Sequence, residues 1–263
     1  MTDHATRLVL PPEDFIKELW SYANDVPMVE HPWFKGIIDH IWTREQIILG
    51  EIQHYLRVRT NPIFFGYIAV NAVNEKSYGL METVVDNFME ELGGPKTHVD
   101  IMLQFLEEAG ISREEADNAE PTPGTMAAIE MIVGGCQRRS AIEGISIVTF
   151  AEAQHGGANG VAAKVFAELT KYYGFSAYAA GTYQLHAEQD EGHGDRQIEA
   201  LEKFATDVET QERVRRAVRL GVNAFNFEWD GHVQAMTRKR EYWSGKTPLR
   251  MREPEIRLNV PKS

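Results

Sequence analysis

The stretch LHAEQDEGHGD, residues 185–195, places His186, Asp190 and His193 at 0, +4 and +7. On an α-helix those steps fall at about 0°, 40° and −20° around the axis, so the three side chains share one stripe. The same spacing read as a strand would scatter them over both faces. A helix is therefore predicted here, with Leu185 and Ile198 elsewhere on it. A solvated face accounts well for Glu188 and Glu191, which point other ways. Two imidazoles with a carboxylate between them are better explained as donors to a metal of the nitrogen- and oxygen-liking kind.

Working outward, the chain reads as helix after helix. Pro11 and Pro12 lead into Glu13 and Asp14, acidic first-turn residues ahead of Phe15, Leu19 and Tyr22 at helical spacing. A second helix follows His31-Pro32. A third starts at Thr43, where Thr43 and Gln46 have the spacing of a capping box, and ends or kinks at Asn61-Pro62. Further helices are predicted over 63–73, 77–92, from Thr97 onward, 112–117, 125–138, 140–154, 159–173, 176–204 and 207–236. No run of period-two alternation with hairpin signals interrupts them. Short links make most neighbours antiparallel. The fold class expected is all-α, with one helical domain over 1–240 and an extended arm over 241–263 that carries Pro248, Pro254 and Pro261.

Composition limits the partners. The chain has 263 residues, and 27 basic against 39 acidic residues leave a formal charge of −12. A nucleic-acid reader needs a basic stripe, so that class is not expected. The longest nearly apolar window, Pro62 to Val73, is too short for a bilayer, which needs roughly 20 residues. The start of the chain lacks the pattern of a secretory signal, so a cytoplasmic protein without a membrane partner is expected. Cys136 is the only cysteine, which leaves neither an intrachain disulfide nor a thiolate zinc site.

Two further segments carry chemistry. In DNFMEELGGPKTHVD, residues 86–100, Glu91 and His98 stand seven apart across Gly93-Gly94-Pro95. They share a face only if the helix resumes in line or bulges after the break, and irregular turns of that kind often mark functional sites. Glu90 is an alternative ligand, and His98 also reads as a first-turn surface residue. In SIVTFAEAQHGG, residues 146–157, Glu152 sits in a strongly apolar helix. A carboxylate there needs a cation or a partner such as Arg138 or Arg139. Three carboxylates and three imidazoles from three helical regions would make a two-metal site of six protein ligands.

These segments, together with LTKYYGF at 169–175, resemble the heme-oxygenase-like dimetal oxidases, relatives of the pyrroloquinoline quinone synthase and thiaminase II folds. The resemblance covers roughly residues 13–236. It implies a seven-helix bundle without heme, commonly a homodimer, with Glu91, His98, Glu152, His186, Asp190 and His193 holding two Fe2+ that react with O2. On this reading Glu91, Glu152 and Asp190 are the catalytic carboxylates, which shift between terminal and bridging modes while the imidazoles fix geometry. Some members of the family make para-aminobenzoate from their own tyrosine. This chain departs from them at Ala151, where those members carry a tyrosine before the metal glutamate.

Tyr55 and Tyr183 are the tyrosines expected near the site, and Arg57 and Arg138 the basic residues that would hold a substrate carboxylate with paired hydrogen bonds. A small amino acid or amine-bearing acid, N-oxygenated or oxidatively cleaved, is the substrate class expected. The rival is a metal-free hydrolase like thiaminase II, with Cys136 as nucleophile, or a cofactorless oxidase. A buried inert thiol is the simpler role for Cys136. Glu228 and His232, four apart on the last helix, read as a surface pair, with a pair standing behind the site residues as the alternative; Arg213, Arg215, Arg216 and Arg219 read as an exposed face, and Met81, Met89, Met126 and Met131 as core.

Overall fold

A computed structural model describes residues 8–92, 96–156, 160–243 and 245, without the side chains of residue 90 and residues 188–193. Among the described residues there are twelve α-helices, one 3₁₀ turn at Met28–Glu30 and no strand. The all-α class is what the sequence predicts.

The first half runs α1 (Pro12–Asp25), α2 (Pro32–Ile38), α3 (Arg44–Val58), α4 (Asn61–Asn74), α5 (Tyr78–Leu92), α6 (His98–Glu108) and α7 (Arg113–Asp117). Local chemistry sets these boundaries. Thr43 and Gln46 close the expected capping box of α3, and Thr97 with Asp100 does the same for α6. Pro62 lacks the amide that would continue α3, so the chain breaks at Arg59-Thr60 and restarts with Asn61 in the first turn of α4. That restart turns a polar residue, Asn61, into the interior.

The second half runs α8 (Pro123–Arg138), α9 (Ala141–His155), α10 (Val161–Lys171), α11 (Gly181–Phe204) and α12 (Val208–Thr237). The helix expected from 176 begins only at Gly181, after a turn in which the Ser176 hydroxyl accepts from the Ala179 amide. The long α12 packs on α3, α8 and α9, and α11 packs on α9. Backbone contact makes this possible: a Cβ on Gly221 of α12 would lie 1.9 Å from the Ile147 carbonyl oxygen of α9. Only glycine allows that approach.

The core is continuous across these helices, with Phe15, Trp33, Phe34, Tyr55, Phe64, Phe105, Phe150 and Tyr183 almost wholly enclosed. Several residues differ from their sequence reading. Met89 and Met126 are exposed, because α5 and α8 turn those positions outward. Arg215 is buried and fastens α12 to α1 through Glu18, at 2.8 Å from Nη2 to Oε2. The expected arm lies mostly outside the described residues; its start is tied to α12, where the Trp243 amide donates to Asp230 at 2.8 Å. No helix among the described residues is long and apolar enough to cross a membrane.

Candidate metal centre

The interior carries an unusual load of ionisable groups. Glu51, Glu91, Glu228, Asp230, Arg57, His31, His54, His98, His155 and His232 are all buried. Such groups are seldom enclosed unless paired or bound to a cation.

Glu91 closes α5 and His98 opens α6, with Gly93, Gly94 and Pro95 between them outside the described residues. The two side chains nevertheless meet: His98 Nδ1 is 3.0 Å from Glu91 Oε1. The second oxygen, Oε2, accepts from Asn61 Nδ2 at 3.1 Å. Burial pushes the Glu91 carboxyl up, but the His98 and Asn61 contacts and the nearby His186 outweigh it and hold the group below its usual range. The His186 ring lies 5.7 Å from that of His98 and stacks at 5.5 Å on His155.

Glu152 reaches toward the far part of α11, where its Oε2 accepts from Gln197 Nε2 at 2.5 Å. The two helices touch here. A Cβ on Gly194 would come within 2.9 Å of the Ala153 backbone, so α9 lies directly beside the turn that carries residues 190–197. The anticipated arginine partners are elsewhere: Arg139 pairs with Glu143 at 3.3 Å, and Arg138 is exposed at a surface cleft with Glu130 and Leu220. The side chains of Asp190, His193 and Glu90 fall outside the described residues. Among the described residues no three His, Cys, Asp or Glu are drawn together tightly enough to hold an ion.

The donors that are described suit iron. They are carboxylate oxygens and imidazole nitrogens, the set that divalent first-row metals share. His98 Nδ1 is also buried without an aligned hydrogen bond, despite its short distance to Glu91. A buried nitrogen in that condition, beside a carboxylate and a second imidazole, fits a ligand better than a structural histidine.

A second polar group adjoins this one. Glu51 accepts from Tyr183 Oη at 2.6 Å and lies 2.9 Å from His54 Nδ1. Arg57 donates to Asn61 Oδ1 at 2.6 Å, and its Nε stands 2.8 Å from Glu228 Oε2. His232 approaches Glu228 Oε1 at 3.7 Å and packs edge-on against Trp33. Asn61 thus joins the two groups, because it takes a hydrogen bond from Arg57 and gives one to Glu91.

Of the residues expected to touch substrate, Arg57 and Tyr183 face this interior. Tyr183 is held well above the ordinary phenol range, by burial first and then by the Glu51 charge, so it remains a donor. Tyr55 instead donates to Asp117 of α7 at 2.6 Å. Glu228 and His232, read as a surface pair, are both enclosed, because α12 has no solvent-facing side at this turn. Glu51, Asn61, His155 and Gln197 were not expected in any role. Sequence signals existed for two of them: Glu51 has the i, i+3 spacing to His54, and Gln197, four residues after His193, continues the stripe of His186, Asp190 and His193.

Cys136 is buried, its Sγ lies 3.8 Å from the Gly144 carbonyl, and burial pushes the thiol up to about 12. A nucleophilic cysteine needs the opposite environment.

A bundle of long helices whose interior presents carboxylates and imidazoles is the architecture of helical non-heme metalloenzymes. The chain belongs to the family described as iron-containing redox enzymes, whose model matches residues 52–226. It is 27% identical over 199 residues to the 4-aminobenzoate synthase of Chlamydia muridarum, across 74% of this chain and 80% of that one. The corresponding protein of Chlamydia trachomatis is 26% identical, with 74% and 82% covered. Among solved structures, a TenA homologue from P. horikoshii matches with a TM-score of 0.67 at 16% identity, covering 85% of this chain and 98% of that one. A CADD-like protein of unknown function from Nostoc punctiforme matches at 0.68 and 14%, covering 86% and 98%. A third, described as a heme oxygenase-like fold, matches at 0.65 and 14%, covering 87% and 94%.

Proposed function

We propose that the chain is a non-heme diiron oxidase that uses O2 to oxidise a small amine- or amino-acid-type substrate. Glu91, His98, Glu152, His186, Asp190 and His193 are the ligands in this reading. The observation that carries it is the buried meeting of Glu91 and His98 across a broken helix, with His186 against them. The iron-containing redox family supports the metal. The name of the chlamydial relatives supports an amine-bearing compound, since 4-aminobenzoate carries both an amine and a carboxylate.

Bound iron would supply the redox chemistry with O2, which amino-acid side chains alone do not provide. What the chain contributes is position and charge. Asn61 fixes the second oxygen of Glu91, and Gln197 fixes an oxygen of Glu152. Supports of this kind set ligand orientation. Tyr183 keeps its proton on Oη and hands a hydrogen bond to Glu51. Phe34 and Trp229 wall off His155 and exclude water on that side. Ala151 stands directly before Glu152, so the tyrosine found there in self-consuming relatives is missing and an external substrate is the better fit.

Anaerobic titration with ferrous ion, followed by brief exposure to O2, tests the proposal. Two irons per chain, O2 uptake and a transient visible absorption are expected, all lost in His186→Ala. Full activity after chelation, or no iron uptake at any concentration, would sink it.

A further inference from the structure

Helix α4 departs from every other helix at the surface. NPIFFGYIAVNAVN, residues 61–74, is the only one of the described helices without Asp, Glu, Lys or Arg. A helix apolar on all sides is normally buried on all sides. Here one side is open. Phe64, Phe65, Ile68 and Ala72 are buried, whereas Ile63, Val70 and Val73 are 49%, 56% and 51% exposed. Ile63, Tyr67 and Val70 fall at 0, +4 and +7, about 0°, 40° and −20° around the axis. They form one outward stripe, with Gly66 and Val73 along its edge. α5 and α8 both pack on α4, and they leave Val85, Met89 and Met126 exposed as well. Single apolar residues on a surface mean little, but a contiguous run marks a contact.

Charge and symmetry point to what covers it. Where two copies meet about a twofold axis, a residue at the axis faces its own duplicate, so a charge there would meet its like. A charge-free helix satisfies that condition, and in a chain of formal charge −12 no other described helix does. A different protein would be selected by complementary charges, which the stripe lacks. A membrane-surface helix needs lysines or arginines beside its apolar side, and α4 has none. Size then sets the extent. The 14 residues of α4 span about 21 Å, so a strip roughly 10 Å wide presents only about 200 Å² in projection. A stable contact takes about 800 Å² per partner. It must therefore run onto α5 and α8, where Val85, Met89 and Met126 stand exposed. Gly66 lies midway between Ile63 and Val70, and a Cβ there would meet nothing within 4 Å, which leaves room for a second helix to come close.

We propose that the outer side of α4, with the adjoining flanks of α5 and α8, is the surface on which two copies of this chain form a dimer. The twofold axis passes beside Gly66 and Tyr67, so the two α4 helices cross antiparallel and Ile63 of one protomer lies against Val70 of the other. The inference stands apart from the oxidase reading, because none of the six proposed iron ligands lies on the stripe.

Sedimentation equilibrium of the full chain tests the proposal and should give twice the chain mass. Val70→Glu sets a charge against the apolar stripe in both protomers and should raise the dissociation constant by at least about a hundredfold. Ile41→Glu, at another exposed apolar position (62%) between α2 and α3, should leave it unchanged. Gly66→Cys reads the position of the axis without adding a charge. The only other thiol, Cys136, is buried, so a short bis-maleimide should join two chains through residue 66. Circular dichroism identifies any variant that has failed to fold, and the mass of the unaltered chain together with the Gly66→Cys cross-link decides the matter if Val70→Glu is one. A monomer at every concentration overturns the proposal, whether α4 is then found bound to phosphatidylcholine vesicles or covered by the chain's own arm. A dimer that survives Val70→Glu, or that gives no cross-link through Gly66→Cys, overturns it as well.

Discussion

Asn61 is the residue on which two groups depend. It accepts from Arg57 and donates to Glu91, so Asn61→Ala takes away a hydrogen bond from a proposed ligand and one from a buried guanidinium at once. Loss of such a support typically weakens metal affinity by about 10–100-fold. A ferrous titration of Asn61→Ala should show that loss, and a dissociation constant within twofold of the unaltered protein would remove Asn61 from the site. Cys136 presents the contrary case. Its thiol is enclosed and pushed up to about 12, so it stays protonated at neutral pH. Alkylating reagents should leave the native protein unlabelled at pH 7.5, and Cys136→Ala should keep the activity proposed above at a cost of about 1 kcal/mol for the lost packing. A tenfold fall in turnover with intact folding would return the cysteine to the chemistry.

At the scale of helices, legibility followed periodicity. The helix over 186–193, the capping box at Thr43, the helix restart at Thr97 and the break before Pro62 could all be read from spacing, because each is decided within one or two turns. The burial of Glu228 and His232 could not. They stand four apart on a helix rich in polar residues, and it takes the packing of other helices on that turn, α2, α3 and α8 among them, to enclose them. Arg215 escaped for the same reason, since its partner Glu18 is 197 residues away. Glycine contacts are equally non-local. At Gly221 an added methyl would meet the Ile147 carbonyl at 1.9 Å. Alanine in place of helical glycine gains up to about 1 kcal/mol in propensity, whereas overpacking typically costs about 1–3 kcal/mol, and this overlap is with rigid backbone. Gly221→Ala should therefore be net destabilised in urea unfolding, by about 1–2 kcal/mol; equal or higher stability would mean that α9 and α12 do not touch there.

For the whole molecule, the polar interior ties stability to pH. His232 and His31 are enclosed and both lie below the ordinary imidazole value of 6.5, in each case chiefly through burial. The groups facing His232 are Glu228 on its own helix, His54 and Arg57 on α3, and His31 ahead of α2; Asp230 faces His31 and partly offsets its shift. Below pH 6.5 the unfolded chain takes up protons that the folded protein refuses, so the unfolded state binds more and stability falls as pH falls. The contribution is complete above 6.5 and is lost progressively beneath it, down to the depressed folded values. Each such histidine has a limiting slope of about 1.4 kcal/mol per pH unit. Melting temperature should thus drop between pH 7 and pH 5 in the metal-free protein. His155 is depressed in the same way, so His232→Gln removes one of three such proton sites and its profile should be shallower by about one histidine's share, whatever its stability at pH 7. Parallel profiles for the two proteins would show that His232 already carries a proton in the folded state, and the interior charge would then have to be counted again.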